Sequence, residues 1–160
     1  MVTAVEVKKE SVESGFGFKP SEPLLRTADE SHTVRSQFAT YASEIMLRQY
    51  RTHLYMIYVA GWYARIFRWD RNGAIVSPSI DLRTESKYLF NFIYRLVRAS
   101  GPVQGFDPTV MLATASEISK LRAYEPSNEY LQEYKNLILE NTDDYPIYKV
   151  RLSNLLHDGG

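Results

Sequence analysis

Hydrophobic positions recur along this chain with two periods, and the switches between them outline its elements. From about Asp29, the residues Phe38, Tyr41, Ile45 and Gln49 recur at spacings of three and four, with Ala42 beside them. That is one face of an amphipathic helix. Asp29 or Ser31 stands where a side-chain oxygen would cap the first amides, and Glu44, Arg48 and Arg51 occupy the polar side. The period then shortens. LYMIYV (54–59) is an unbroken β-branched and aromatic run bounded by Gly61, the pattern of a strand covered on both faces. YARIFRW (63–69) reads as a second strand, Asp70-Arg71-Asn72-Gly73 as a turn, and AIVS (74–77) as a third strand stopped by Pro78. The expected arrangement is an antiparallel meander of three strands.

The helical period returns over about Thr84–Ala99. Tyr88, Phe92 and Leu96 form one row and Leu89, Ile93 and Val97 the next, a broad stripe that must pack on something, with the sheet as the obvious partner. Gly101-Pro102 ends it. Asp107-Pro108 reads as the start of another helix, with Met111, Ala115, Ile118 and Leu121 inward. Pro126 interrupts, and Ser127 caps a helix to about Glu140 with Leu131, Tyr134, Leu137 and Ile138 inward. After an Asp143-Asp144 turn, YPIYKVRL (145–152) reads as a last strand that can join the sheet edge, where Pro146 is tolerated. Residues 1–27 keep no steady period, and Pro20 and Pro23 oppose a helix; a flexible tail is expected there, with a short strand near Val5–Val7. The pattern therefore predicts an α+β fold: one domain over 28–153, with a small antiparallel sheet and about four helices, between flexible ends at 1–27 and 154–160. A chain of 160 residues can bury roughly two-thirds of its unfolded surface, enough for a real core.

Composition narrows the classes. Nineteen basic residues balance nineteen acidic ones, which removes the electrostatic argument for nucleic-acid or anionic-membrane partners. There is no cysteine, hence no disulfide, thiolate metal site or cysteine nucleophile. His32, His53 and His157 are far apart and form no zinc motif. The N-terminus lacks the apolar core of a secretory signal, and no run approaches ~18 apolar residues; an intracellular location is expected, cytoplasm and nucleus not being distinguished. Twelve tyrosines, seven phenylalanines and two tryptophans suit protein contacts. Tyr41, Phe67, Tyr88 and Phe92 are assigned to the core, and Tyr50, Tyr63 and Tyr94 to an outward contact patch.

Candidate chemistry is sparse. Gly15-Phe16-Gly17 hints at a phosphate loop, but position 20 is proline where a third glycine is needed, and no Lys-Ser pair follows. Trp69-Asp70 occurs once, without the repetition of a propeller. His157-Asp158-Gly159-Gly160 carries kinase-like letters in the wrong order. Arg65, Arg68 and Arg71, with Asp70, are the main candidates for binding an anion or a partner, since guanidinium groups clamp phosphates and carboxylates. Strand alternation puts Arg65 and Arg68 on opposite faces, so one pocket requires a bulge. The plainer reading leaves Arg68 solvated or pairs it with Asp70, Asp81 or a helix carboxylate such as Glu44. Glu44, Asp70 and Asp81 also stand in the order of a metal-dependent nuclease, as a metal-site candidate, but the strand that should bring Glu-x-Lys has no lysine.

Two stretches carry a family resemblance: RSQFATYASEIMLRQYRTHLYMIYVAGWYARIFRWDRNGAIVS and LFNFIYRLVRASGPVQGFDPTV. Gln37, Tyr41, Gln49 and Arg51 lead into a hydrophobic strand. Gly61, Ala64-Arg65, Arg68-Trp69-Asp70-Arg71 and Gly73 follow, then Phe92 and Arg95, then Gly105 and Asp107-Pro108-Thr109. In this order, over about 35–110, they resemble the fungal-type protein kinase family. The resemblance implies an ATP-dependent phosphotransferase lineage whose catalytic machinery lies downstream of the matched segment. No strand lysine in a catalytic setting, no His-Arg-Asp loop and no Asp-Phe-Gly is present, so no catalytic residue is carried over. Gln104 stands where the family leads one to expect a basic residue. The expectation is a non-catalytic N-terminal regulatory or scaffolding domain of such a kinase, without a cofactor of its own; ATP and magnesium would belong to a downstream kinase region. Its partners would be the kinase lobes of the same parent chain or a second copy. A stand-alone protein-binding module and a nuclease-like nucleic-acid binder are the alternatives.

Overall fold

The computed structural model describes residues 3–9, 14–19, 21–140, 142 and 145–152, and the chain divides into two units, 1–107 and 108–160, where the pattern suggested one domain. The fold class is α+β. The first unit runs β1 (Ala4–Lys8), α1 (Asp29–Arg48), β2 (His53–Ala60), β3 (Tyr63–Asp70), β4 (Gly73–Val76), β5 (Ile80–Asp81) and α2 (Ser86–Arg98); the second runs β6 (Val110–Leu112), α3 (Ala115–Ala123), α4 (Glu129–Glu140) and β7 (Tyr148–Val150). The expected Asp143-Asp144 turn, Pro20 and the 154–160 end lie outside the described residues.

The meander forms as read. β2 and β3 pair antiparallel from His53↔Asp70 to Ala60↔Tyr63, around a tight Gly61-Trp62 turn. β3 and β4 pair from Phe67↔Val76 to Asp70↔Gly73. The Asp70 carboxylate accepts the Asn72 amide at 2.9 Å and so fixes that turn. The strand foreseen near Val5 also forms, and it lies parallel to β2, Ala4 facing Met56. Parallel neighbours need a long crossover, which the 9–52 segment with α1 supplies. The sheet is therefore mixed, in the order β1-β2-β3-β4, with β5 beside the start of β3.

Alternation along β2 and β3 sorts the core onto two faces. On one, Leu54, Met56, Tyr58 and Phe67 meet Phe38 and Ala42 of α1, together with Phe16 and Phe18. The rings pack edge to face: Phe38 to Phe67 at 4.9 Å, Phe38 to Tyr58 at 5.3 Å and Phe16 to Tyr58 at 5.2 Å between centroids. The positive ring edge points at a negative ring face, worth about 0.5–1.5 kcal/mol per pair beyond burial. On the other face, Ile57, Ala64, Ile80 and Leu89 of α2 form a second cluster with Phe92 and Ile93 at its margin.

The largest departure from expectation is the segment assigned to a flexible tail. Ser14–Phe18 is buried throughout, and Phe16 and Phe18 are 4% and 2% exposed. A Cβ on Gly17 would overlap the Pro23 carbonyl oxygen, so glycine lets the arm fold back on itself. Ser31 is not a cap; it is buried, with its hydroxyl 3.4 Å from the Ser14 carbonyl. Nor is Asp29: α1 starts after Ala28 with no side-chain cap. Of the rings assigned to the core, Phe67 is buried and Phe92 half-buried, while Tyr41 and Tyr88 are 47% and 54% exposed. Their helical rows are wider than the strip of sheet that each helix covers.

The α1 terminus is a Schellman-type ending: Arg51 N donates to Met46 O at 2.9 Å and Tyr50 N to Leu47 O at 3.5 Å. The left-handed position that glycine normally fills holds Tyr50, at φ +50°.

In the second unit no helix starts at Asp107-Pro108. Residues 110–112 form β6, whose partner is β7 (Val110↔Val150, Leu112↔Tyr148), so YPIYKVRL supplies a strand to this two-stranded sheet and not to the larger one. α3 opens on a capping box: Thr114 Oγ1 accepts the Glu117 amide and Glu117 accepts the Thr114 amide at 2.8 Å. Asn128, one place after the expected Ser127, caps α4 by accepting the Leu131 amide at 2.8 Å. Neither helix has a buried residue. Leu131, Tyr134, Leu137 and Ile138, expected inward, are exposed; two three-residue strands offer too little surface to cover them.

Candidate functional site

Of the arginine candidates, Arg65 is set apart by burial. It lies on the same face of β3 as Tyr63 and Phe67, and alternation turns it toward the Phe16–Phe18 arm. Nε and Nη2 donate to Gly17 O at 3.0 and 2.6 Å, and Nη1 donates to Ser77 O at 2.7 Å. The Phe18 ring lies 5.5 Å from the guanidinium carbon. Only 9% of Arg65 is exposed, and burial lowers its pKa from the ordinary arginine value, though a guanidinium stays protonated. No carboxylate of the described residues forms an ion pair with it.

Arg65 forms part of the wall of an open cleft of about 550 Å³. Phe18 and Tyr63, stacked 5.9 Å apart, give the cleft an aromatic side, and Leu24 and Pro78 extend it. Lys19, Ser79 and three carboxylates supply the polar lining. Those carboxylates are engaged elsewhere. Glu22 binds Arg26 at 2.9 Å and the Phe18 amide at 3.1 Å, which together hold its pKa below the usual range. Asp81 binds Arg83 at 2.7 Å, which lowers its pKa in the same way. Glu85 accepts the Asp81 amide at 3.3 Å. The Ser79 hydroxyl is buried and has no hydrogen-bond partner among the described residues. The lining holds no histidine, and its one serine makes no hydrogen bond to a base among the described residues, the bond by which a nucleophile–base pair is recognised.

The other candidates do not converge on Arg65. Arg68 and Asp70 project to the Ala64–Ile66 side of β3 and pair with each other at 2.9 Å. The Asn72 amide and then Arg68 hold Asp70 below the usual carboxylate range. Arg71 is exposed at the turn. Glu44 pairs with Arg48 at 2.9 Å on α1, and Asp81 with Arg83 at the cleft. Glu44, Asp70 and Asp81 are thus held by three different arginines, and among the described residues no three His, Asp or Glu side chains gather as a metal would require. Tyr63 is half-buried at the cleft, while Tyr50 and Tyr94 are exposed.

Several residues of the ordered resemblance meet at a second buried arginine. Arg51 is 5% exposed. Its Nε donates to Gln49 Oε1 at 2.8 Å and its Nη1 to Gln104 O at 2.6 Å, and its guanidinium lies 3.9 Å from the Phe106 ring centre. Gly105 takes φ +99°, and a Cβ there would overlap His53 O. Asp107 N donates to Tyr50 O and Thr52 N to Gly105 O, both at 2.9 Å. Gln104, at the position expected to be basic, caps the end of α2 by donating to Leu96 O and Ala99 O at 3.0 Å. This cluster ties the 99–107 loop to the start of β2.

Sequence reasoning missed Phe18, Lys19, Ser79 and Glu85 as lining residues. Phenylalanine alternating with glycine at 15–18 was the available signal, since it has the period of a buried strand.

A family model described as Fungal protein kinase matches residues 23–142, which is 120 of the 160 residues. The matched stretch contains Arg51 and Arg65 but not Gly17. No curated protein and no solved structure gives a significant match.

Proposed function

The chain belongs to the fungal protein kinase family, and from that premise we propose that these residues serve as a non-catalytic regulatory or scaffolding domain, packing on the kinase lobes. One observation carries the reading: the backbone amides of the glycine-bearing arm, which could have cradled a nucleotide phosphate, are bonded inside the fold. The amides of Phe16, Gly17 and Phe18 are bound to Ser14 Oγ, Leu24 O and Glu22 Oε2 at 3.1, 2.9 and 3.1 Å. The carbonyls of Gly15 and Gly17 accept from Arg35 and Arg65. Phosphoryl transfer requires free amides or cations at the phosphates, metal ligands and a positioned base in one place. Calorimetric titration of the full chain with magnesium–ATP tests the proposal. No magnesium-dependent binding is expected; tight, magnesium-dependent binding overturns it.

A protein-binding module is the second reading, favoured by exposed apolar stripes at helical spacing. Phe90, Tyr94 and Val97 on α2 are 67%, 60% and 57% exposed, and exposed apolar side chains grouped on one face mark contact surfaces. Light scattering across a concentration series checks the self-associating form of this reading, which a monomer at every concentration excludes.

A further inference from the structure

The geometry points to the cleft beside Arg65 as a binding site for an oxyanion, carboxylate or phosphate, carried on an aromatic or aliphatic body. A guanidinium has five N–H donors. Three are bound to Gly17 O and Ser77 O, so two have no partner among the described residues. Carbonyl acceptors solvate the cation without neutralising it, and a buried charge without a counter-charge is a costly arrangement. Lys19 is the other cation of the lining, exposed and without an ion-pair partner among the described residues. Glu22 and Asp81 are already neutralised by Arg26 and Arg83. Glu85 is then the one lining carboxylate without its own cation among the described residues, so the unpaired charge of the cleft is positive. The buried, unpartnered Ser79 hydroxyl adds a neutral donor. Phe18, Tyr63, Leu24 and Pro78 form the wall against which the apolar body would rest. Bare phosphate would use the cations and leave this wall wet; an apolar molecule without charge would leave Arg65 uncompensated.

The test is an amide NMR titration of the full chain with phenyl phosphate and with benzoate, using inorganic phosphate and benzyl alcohol as the two half-ligands. Saturable shifts are expected at Gly17, Lys19, Tyr63 and Ser79 with one or both aromatic anions. Inorganic phosphate should bind roughly tenfold more weakly, and benzyl alcohol should give no saturable shift. Tighter phenyl phosphate assigns a phosphoryl ligand and tighter benzoate a carboxylate. Lys19 is exposed, so Lys19→Glu should leave the fold intact and weaken binding roughly tenfold. Arg65→Met should abolish binding, and if that variant fails to fold, Lys19→Glu decides. Shifts that never saturate with either aromatic anion, or affinity unchanged in Lys19→Glu, overturn the inference. Binding here needs no magnesium, so it is distinguishable from the nucleotide binding that would overturn the non-catalytic role.

Discussion

Arg65 and Gly17, 48 positions apart in sequence, are joined by two hydrogen bonds from one guanidinium to one carbonyl oxygen. The same side chain reaches Ser77 O, so it fastens the N-terminal arm and the 77–79 connection to the middle of β3. Methionine keeps the bulk but leaves both carbonyls without a donor. Arg65→Met should therefore destabilise the first unit by about 3 kcal/mol, since each orphaned buried acceptor costs roughly 1–3 kcal/mol. Arg65→Lys cannot reproduce the planar fork and should recover only part of that loss. Urea unfolding followed by tryptophan fluorescence measures both.

Phe16 touches Phe38, Tyr58 and Phe67, with its ring centre 4.8 Å from that of Phe67. Phe16→Ala should cost about 3–5 kcal/mol, the range for emptying a buried aromatic site. Were residues 14–18 a loosely attached tail, the change would be nearly neutral. Thermal unfolding of the two proteins side by side gives the answer.

Two backbone positions with positive φ should respond to different degrees on substitution. Gly105→Ala places a Cβ onto His53 O at φ +99° and should destabilise by more than about 2 kcal/mol. At Tyr50 the left-handed residue already carries a side chain. Tyr50→Val, β-branched, should cost about 1–2 kcal/mol, whereas Tyr50→Gly relieves the backbone and should cost less than Tyr50→Val. Denaturant midpoints of the three variants check the order.

Glu117 is the group whose titration should be felt in the second unit. Lys149, 2.5 Å from its carboxylate, and then the Thr114 amide and hydroxyl, hold its pKa down at about 2, from an ordinary 4.5. The folded value lies below the unfolded one, so the stabilisation is complete above pH 4.5 and is lost as pH falls toward 2. Carboxyl-carbon NMR should find Glu117 still ionised at pH 3.5, where an ordinary glutamate is mostly protonated, and Glu117→Gln should remove the acid-side loss.

The legible parts of the sequence were those whose pattern and partner are close together. β2, β3 and β4 follow one another with two-residue turns, so the apolar runs and the Asp70–Gly73 signal sufficed. α2 was read to within two residues because Leu89, Phe92, Ile93 and Leu96 repeat at helical spacing. What failed depended on distant partners. Val110–Leu112 is a strand because Tyr148–Val150 lies beside it, and nothing near Asp107-Pro108 announces that. Likewise the 14–18 arm is ordered by Arg35, Arg65 and the aromatic cluster, while its glycines and nearby prolines suggest disorder. Arg65, Arg68 and Arg71 were singled out together, but they do not gather in one place: Arg65 turns to the Gly17 carbonyl and Arg68 to Asp70, on opposite faces of the strand as alternation requires. The cleft was not read, because Phe18, Lys19, Glu22 and Leu24 of its wall come from the segment misread as a tail.

The position of that arm bears on how the protein is produced as a fragment. A recombinant piece cut at Pro23, where the family match begins, would discard β1, Phe16 and Phe18 together. It would bare the backbone edge of β2 and open a greasy hollow over Tyr58 and Phe67, the kind of surface that drives chains to precipitate on expression. A fragment of this protein intended to stay in solution should retain its first twenty-odd residues, even though the family match leaves them out.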